Sequence, residues 1–182
     1  MSIALSGRTD RVGRVEEREW RFGMKKLGIC GLIVILVLGG GFAMMMGIMS
    51  YSAEPPKSLG VTDGRLQACP NSPNCVSTQS QDDQHKMDPI QWNGSSQEAI
   101  TRLAEIIAAM PRTVIVAQTD DYLRAEFTSG LFRFVDDVEF YVDSVGHQIQ
   151  FRSASRTGYS DLGVNRKRMT EIVNRFEAQA TP

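Results

Sequence analysis

The chain has 182 residues, 42% hydrophobic and 23% charged, with a net charge of −1, a length that holds one domain and one core once tails are set aside. That charge is unevenly placed: seven Lys/Arg face four Asp/Glu in the first 49 residues, and 13 face 17 in the rest, so an arm of +3 precedes a remainder of −4. Binding DNA or RNA needs an excess of cations against phosphates, and the remainder lacks it, which excludes nucleic acid as a partner.

Residues 1–26 form a basic arm bearing Arg8, Arg11, Arg14, Arg18, Arg21, Lys25 and Lys26. Residues 27–49 are 23 in a row without a charge, among them Leu32, Ile33, Val34, Ile35, Leu36, Val37 and Leu38. As a helix rising about 1.5 Å per residue they reach roughly 34 Å, enough for a hydrocarbon core of about 30 Å. Gly39, Gly40 and Gly41 dilute the apolar character and Met44, Met45 and Met46 restore it. Only Lys57 and Arg65 follow soon after, so the positive-inside rule predicts a single-pass protein with a cytoplasmic arm and an exported domain. In a competing reading, translation starts at Met24 and Ser50 and Ser52 precede a signal-peptide cut. Both readings export the domain.

Residues 50–66, with Pro55, Pro56, Gly60 and Gly64, have the composition of a linker, and the globular domain is expected over 67–180. A short strand is expected near Ile90 to Trp92. Ser95 followed by Glu98 is a capping-box signal, after which Ile100, Leu103, Ala104 and Ile107 recur at helical spacing until Pro111. Residues 113–119 read as a β-branched strand closed by a turn at Asp120 and Asp121. Alternation then groups Leu123, Ala125 and Phe127; Phe132 and Phe134; Val138, Phe140 and Val142; and Ile149 with Phe151 on core-facing sides of successive strands. Met169, Ile172, Val173 and Phe176 mark the apolar stripe of a closing helix. The expected fold is α+β: a largely antiparallel sheet with helices on one face, in the order strand, helix, four strands, helix. That order resembles the TATA-binding-protein-like and helix-grip arrangements.

Tyr122, Arg124, Glu126, Arg133, Asp137, Glu139, Tyr141, Gln150 and Arg152 fall by parity on the opposite face, either as solvated cross-strand ion pairs or as a recognition surface. Cys69 and Cys75 bracket a turn-rich loop, and in an exported domain a disulfide closing it contributes roughly 2 kcal/mol. A metal site drawing in His85 with Asp82 or Asp83, or a reactive thiol, is the alternative use. Five residues between the cysteines exceed ordinary zinc spacing, so neither a metal nor a cofactor is expected. His147 beside Gly146 reads as a hairpin-turn residue.

Asp136, Asp137 and Glu139 form an acidic cluster, to be read as partners of Arg124, Arg133 and Arg152 or as acid/base groups. Between the last strand and the last helix, Arg152, Ser153, Ser155, Arg156, Tyr159, Asp161, Asn165 and Arg166 gather hydroxyls, amides and guanidiniums near a helix N-terminus, a candidate anion loop. Alternatively Asp161 and Asn165 cap the helix, with Arg166, Lys167 and Arg168 solvated.

Three blocks in order, the Cys69–Cys75 loop running into Val76 and Ser77, the 134–141 run and the 152–168 stretch, resemble domain-of-unknown-function family 1499 over residues 69–176. The resemblance implies the domain boundaries and an export or membrane segment, and supplies no catalytic roles. The leading expectation is a membrane-tethered binding or interaction module of the cell envelope, its partner a protein or a small anionic ligand. The alternatives are an exported hydrolase or transferase, with Asp137 or Glu139 as base and Arg152 or Arg156 as anion clamp, and a thiol or metal function at Cys69 and Cys75.

Overall fold

A computed structural model describes residues 29–46, 48–50 and 54–179. The basic arm of 1–26 lies outside the described residues. Two units divide the chain, 1–43 and 44–182. The first holds most of helix α1, Ile29–Ser50, whose 22 residues are long and apolar enough to cross a membrane.

In the second unit, β1 (Cys75–Ser77), β2 (Ile90–Gln91), α2 (Ser96–Ala108), β3 (Thr113–Gln118), β4 (Tyr122–Thr128), β5 (Val135–Asp143), β6 (Gln148–Ser155) and α3 (Val164–Ala178) follow in turn. All the strand pairings are antiparallel, in the order β1-β6-β5-β4-β3, with β2 also on β6 beyond the end of β1. The α+β class and the succession of four strands between two helices are as expected.

Helix α2 begins where the capping signal puts it: the Ser95 hydroxyl accepts the Glu98 N–H at 3.2 Å. Its buried face, Ala99, Ile100, Leu103, Ile106 and Ile107, meets Leu123, Ala125, Val138, Phe140 and Phe151 from the sheet and Met169, Ile172 and Phe176 from α3 in one cluster. Trp92 packs edge-on against Phe176 at 5.4 Å between centroids, and the Arg102 guanidinium lies 5.0 Å from each ring. His147, at φ 53°, sits in the β5–β6 turn, which the Asp143 carboxylate closes by accepting the N–H groups of Val145 and Gly146.

Two local expectations change. Phe132 and Phe134 are not strand residues. They lie in the β4–β5 loop, where Arg133 takes φ 59° and the two rings meet edge-on at 6.4 Å. The Ser129 N–H to Phe134 carbonyl bond and the Phe134 N–H to Ser129 hydroxyl bond close this loop on itself before β5 begins. Strand β1, absent from the sequence reading, forms because its three residues pair with Arg152, Ser153 and Ala154 of β6.

Candidate functional site

Strands β4 to β6 carry charged side chains on both faces, so the polar groups form two separate clusters. Residues 124, 126, 137, 139, 152 and 156 lie on the face away from α2 and α3. Residues 136, 153 and 155 lie on the helix side with Asn165 and Arg168 of α3. The strand period of two makes this division, since neighbours along β5 and β6 point to opposite faces.

On the face away from the helices the register sets Arg124 opposite Glu139, Glu126 opposite Asp137, and Glu139 opposite Arg152. Asp137 receives Arg156 in a two-point contact, Nε to Oδ2 at 2.8 Å and Nη2 to Oδ1 at 2.9 Å, and Arg156 also pairs with Glu126. Such fork-to-carboxylate geometry is stronger and more directional than a single contact. Arg124 stands 3.6 Å from Asp137, and Arg152 stands 3.5 Å from Glu139. The other Glu139 oxygen accepts the Tyr122 hydroxyl at 2.9 Å and the Gly60 N–H at 2.7 Å.

This face is not open to solvent: Glu139 is 0% and Arg152 4% exposed. The stretch from Pro56 to Pro70 lies over part of it. Thr62 and Arg65 pair with each other, Gln79 bonds Gly64 and Leu66, and the Cys69–Cys75 disulfide, with Cα atoms 5.7 Å apart, ties the stretch to β1 beside β6. The sulfurs therefore hold the cover in place and are not thiols or metal ligands. Among the described residues no three His, Cys, Asp or Glu side chains converge as a metal cage.

A cavity of about 270 Å³ remains between cover and sheet, its walls including Gln67, Cys69, Pro70, Asp137, Arg152 and Arg156. Two buried polar atoms on its lining residues, Arg152 Nε and Gln67 Oε1, have no hydrogen-bond partner. Buried polar atoms are nearly always paired, so each such atom calls for an explanation. Burial pushes the Arg152 guanidinium below its ordinary value, against the opposing pull of Glu139 and Asp137, while the bonds from Asp137 push Arg156 up.

Tyr122 is pushed above its ordinary value of 10.0, first by burial and then by the Glu139 charge. The folded state thus holds this proton more tightly than the unfolded chain. Its stability is fully present below pH 10.0 and declines as pH rises from there towards the folded value. Thermal unfolding between about pH 8 and pH 11 is expected to show a steeper alkaline decline for the natural protein than for Tyr122→Phe. Equal slopes would mean that Tyr122 does not titrate against Glu139.

On the helix side Asn165, 0% exposed, is a hub. It bonds Ser153, donates to the Asn74 carbonyl at 3.1 Å and the Ser155 hydroxyl at 3.2 Å, and accepts from Arg168 at 2.7 Å. Arg168 continues to Asp136 at 2.6 Å and lies over the Phe127 ring at 4.7 Å. The Asp161 carboxylate accepts the N–H groups of Gly163 at 3.0 Å and Asn165 at 2.7 Å. The helix N-terminus therefore already has its anion, supplied by the chain itself. A second cavity, about 110 Å³, lies beside this cluster between the 129–134 loop and residues 155–164.

The candidate anion loop is thus dispersed. Arg152 and Arg156 face the larger cavity, Ser153, Ser155, Asp161 and Asn165 build the hub, and Tyr159 is 75% exposed. Arg166 donates to the carbonyls of Gln84 and Lys86 at 2.8 and 3.0 Å, and so ties α3 to the 84–86 turn. The acidic cluster divides likewise: Asp136 joins the hub, Asp137 and Glu139 the cavity face. Arg168, expected in solvent, is mostly buried against Asp136. Gln67 escaped the sequence reading because nothing local marks it. Its position two residues before a bridged cysteine was the available signal.

Both candidate bases are engaged. Asp137 is held by Arg156 and Arg124, and Glu139 by Tyr122, Gly60 and Arg152. In both, each carboxylate oxygen has a cation or hydrogen-bond donor within 3.5 Å.

A search of the curated proteins finds no match for the chain. Residues 65–176, from the bridged Cys69–Cys75 loop to the end of the buried stripe on α3, match the protein family of unknown function DUF1499, and the chain belongs to that family.

Proposed function

We propose that this protein is a membrane-tethered binding module whose exported domain takes the anionic group of a small ligand into the cavity beneath residues 56–70. The observation that carries the reading is Arg152: a guanidinium 4% exposed, on a residue that lines the cavity, with the Glu139 carboxylate 3.5 Å away. A buried cation so loosely paired gains from an oxygen anion that completes its hydrogen bonding. Export to the cell envelope is supported by the positive arm before α1 and by the disulfide, a bond of oxidising compartments. The engaged state of Asp137 and Glu139 supports a binding role over a hydrolytic one.

The test uses the full chain in detergent micelles, with the Arg152 Nε–Hε resonance followed as sodium acetate is added. Saturable movement of that resonance, larger than its response to chloride, is the expected result. A resonance that responds to acetate no more than it does to chloride at matched ionic strength would remove the reading.

A further inference from the structure

At the end of the sheet where β5 starts and β6 finishes, two loops hold large apolar side chains out in solvent. Leu131 of the β4–β5 loop is 80% exposed, and Leu162 of the loop from β6 to α3 is 94% exposed, with Tyr159 exposed beside it. The loops adjoin, because Ser129 and Phe134 of the first and Ser160 and Asp161 of the second wall the same cavity of about 110 Å³. Leu162 takes φ 55°, a left-handed backbone that a bulky side chain rarely adopts. Strain of that kind points to a function, and an apolar side chain turned to water points to a surface that would cover it.

Ser50 indicates which surface. It is the last residue of α1, it belongs to the same unit as the sheet, and its hydroxyl accepts the Val135 N–H at 3.0 Å, directly after the first loop. The Val135 carbonyl accepts the Arg156 N–H at 3.0 Å, where the second loop begins. If α1 spans a bilayer, chain continuity sets Ser50 at its surface, and both loops are rooted there. Each loop also meets polar needs of its own, as contact with lipid requires. Ser129 and Phe134 bond each other through backbone and hydroxyl, and the Ser160 hydroxyl accepts the Leu162 N–H at 3.3 Å.

Resting on the reading of α1 as a membrane span, we infer that these loop tips dock on the lipid surface of the same bilayer, Leu131 and Leu162 beneath the headgroups and Tyr159 at their level. Removing the leucines from water stabilises the contact in proportion to the area covered, and the tether holds the tips close enough for a weak contact to form. Val145, 92% exposed in the turn at the other end of β5, stays in water.

The test uses the full chain in phosphatidylcholine vesicles, with an environment-sensitive fluorophore on one introduced cysteine at a time: Leu162→Cys, Val145→Cys or Val37→Cys. Each carries Cys30→Ser, which removes a free thiol and leaves the Cys69–Cys75 bridge intact. Nitroxide-labelled lipid is expected to quench the probe at 162 several-fold more than the probe at 145, and iodide in the water to do the reverse. Leu131→Glu should lower lipid quenching at 162 and leave it unchanged at 37. Lipid quenching at 37, with 162 quenched no more than 145, overturns the docking and leaves the span standing. A probe at 162 shielded from iodide yet silent to lipid means that protein covers the tips, and overturns the docking as well. No lipid quenching at 37 or 162 overturns both the span and the docking.

Discussion

Glu139→Leu is expected to cost about 3–5 kcal/mol of folding stability, the range for removing one partner of a buried ion pair. The substitution leaves the Arg152 guanidinium buried with its nearest carboxylate gone, and it orphans the Tyr122 hydroxyl and the Gly60 N–H together. Unpaired buried donors carry their full desolvation penalty, so the loss exceeds what the 3.5 Å contact itself contributes. The double variant Glu139→Leu with Arg152→Met should recover most of the loss, because it removes the stranded charge as well as its partner. Denaturant unfolding of the four proteins in this cycle measures the coupling. A single variant no weaker than Glu171→Ala, at an exposed i,i+4 pair on α3, would show that water reaches Arg152 and that the cover does not seal the face.

Phe151→Ala should produce a loss of similar size, about 3–5 kcal/mol, through a different cause. Phe151 is fully buried on the interior strand β6, directly across from Phe140 with ring centroids 6.2 Å apart, and beneath the helices. Truncation removes its transfer free energy and leaves a void that two strands locked in register cannot close. Tyr159→Ala, at a 75% exposed ring, serves as the comparison and should change stability by no more than about 0.5 kcal/mol. Comparable losses for the two variants would place Phe151 outside the cooperative core.

Much of the scaffold was legible because it rests on local periodicity. The apolar run of α1, the Ser95 cap with the stripe of α2, the alternation through β4 to β6 and the Met169, Ile172 and Phe176 stripe of α3 each show in a window of a few residues. The bridged pair was legible from spacing and context. Phe132 and Phe134 mimicked a strand because two residues of matching parity satisfy the pattern that a closed loop also permits. Strand β1 left no signal: at three residues, its extended form depends on the β6 edge it pairs with.

The candidate site was legible only as residue types. Composition and spacing grouped Arg152 and Arg156 with Ser153, Ser155, Asp161, Asn165 and Arg166, and Asp137 and Glu139 with Asp136, whereas the fold sets Arg152, Arg156, Asp137 and Glu139 on one face. The misgrouping came from reading residues 152–156 as a loop, where neighbours share a side, when 152–155 belong to β6 and alternate. Whether the charged face met water was also undecidable from the strands alone, because its cover comes from residues 56–70, far away in sequence.

The sequence by itself determined the elements that each bury a face of their own: the apolar span, the two amphipathic helices, the alternating strands and the bridged loop. Tertiary structure alone decided that Arg152 is buried, that residues 56–70 lie over part of its face, and that Asp161 rather than an external ligand fills the α3 N-terminus. The physical reason is range. Periodicity encodes what a segment does with its own hydrogen bonds and apolar surface, whereas burial of a charge depends on which distant segment lies over it.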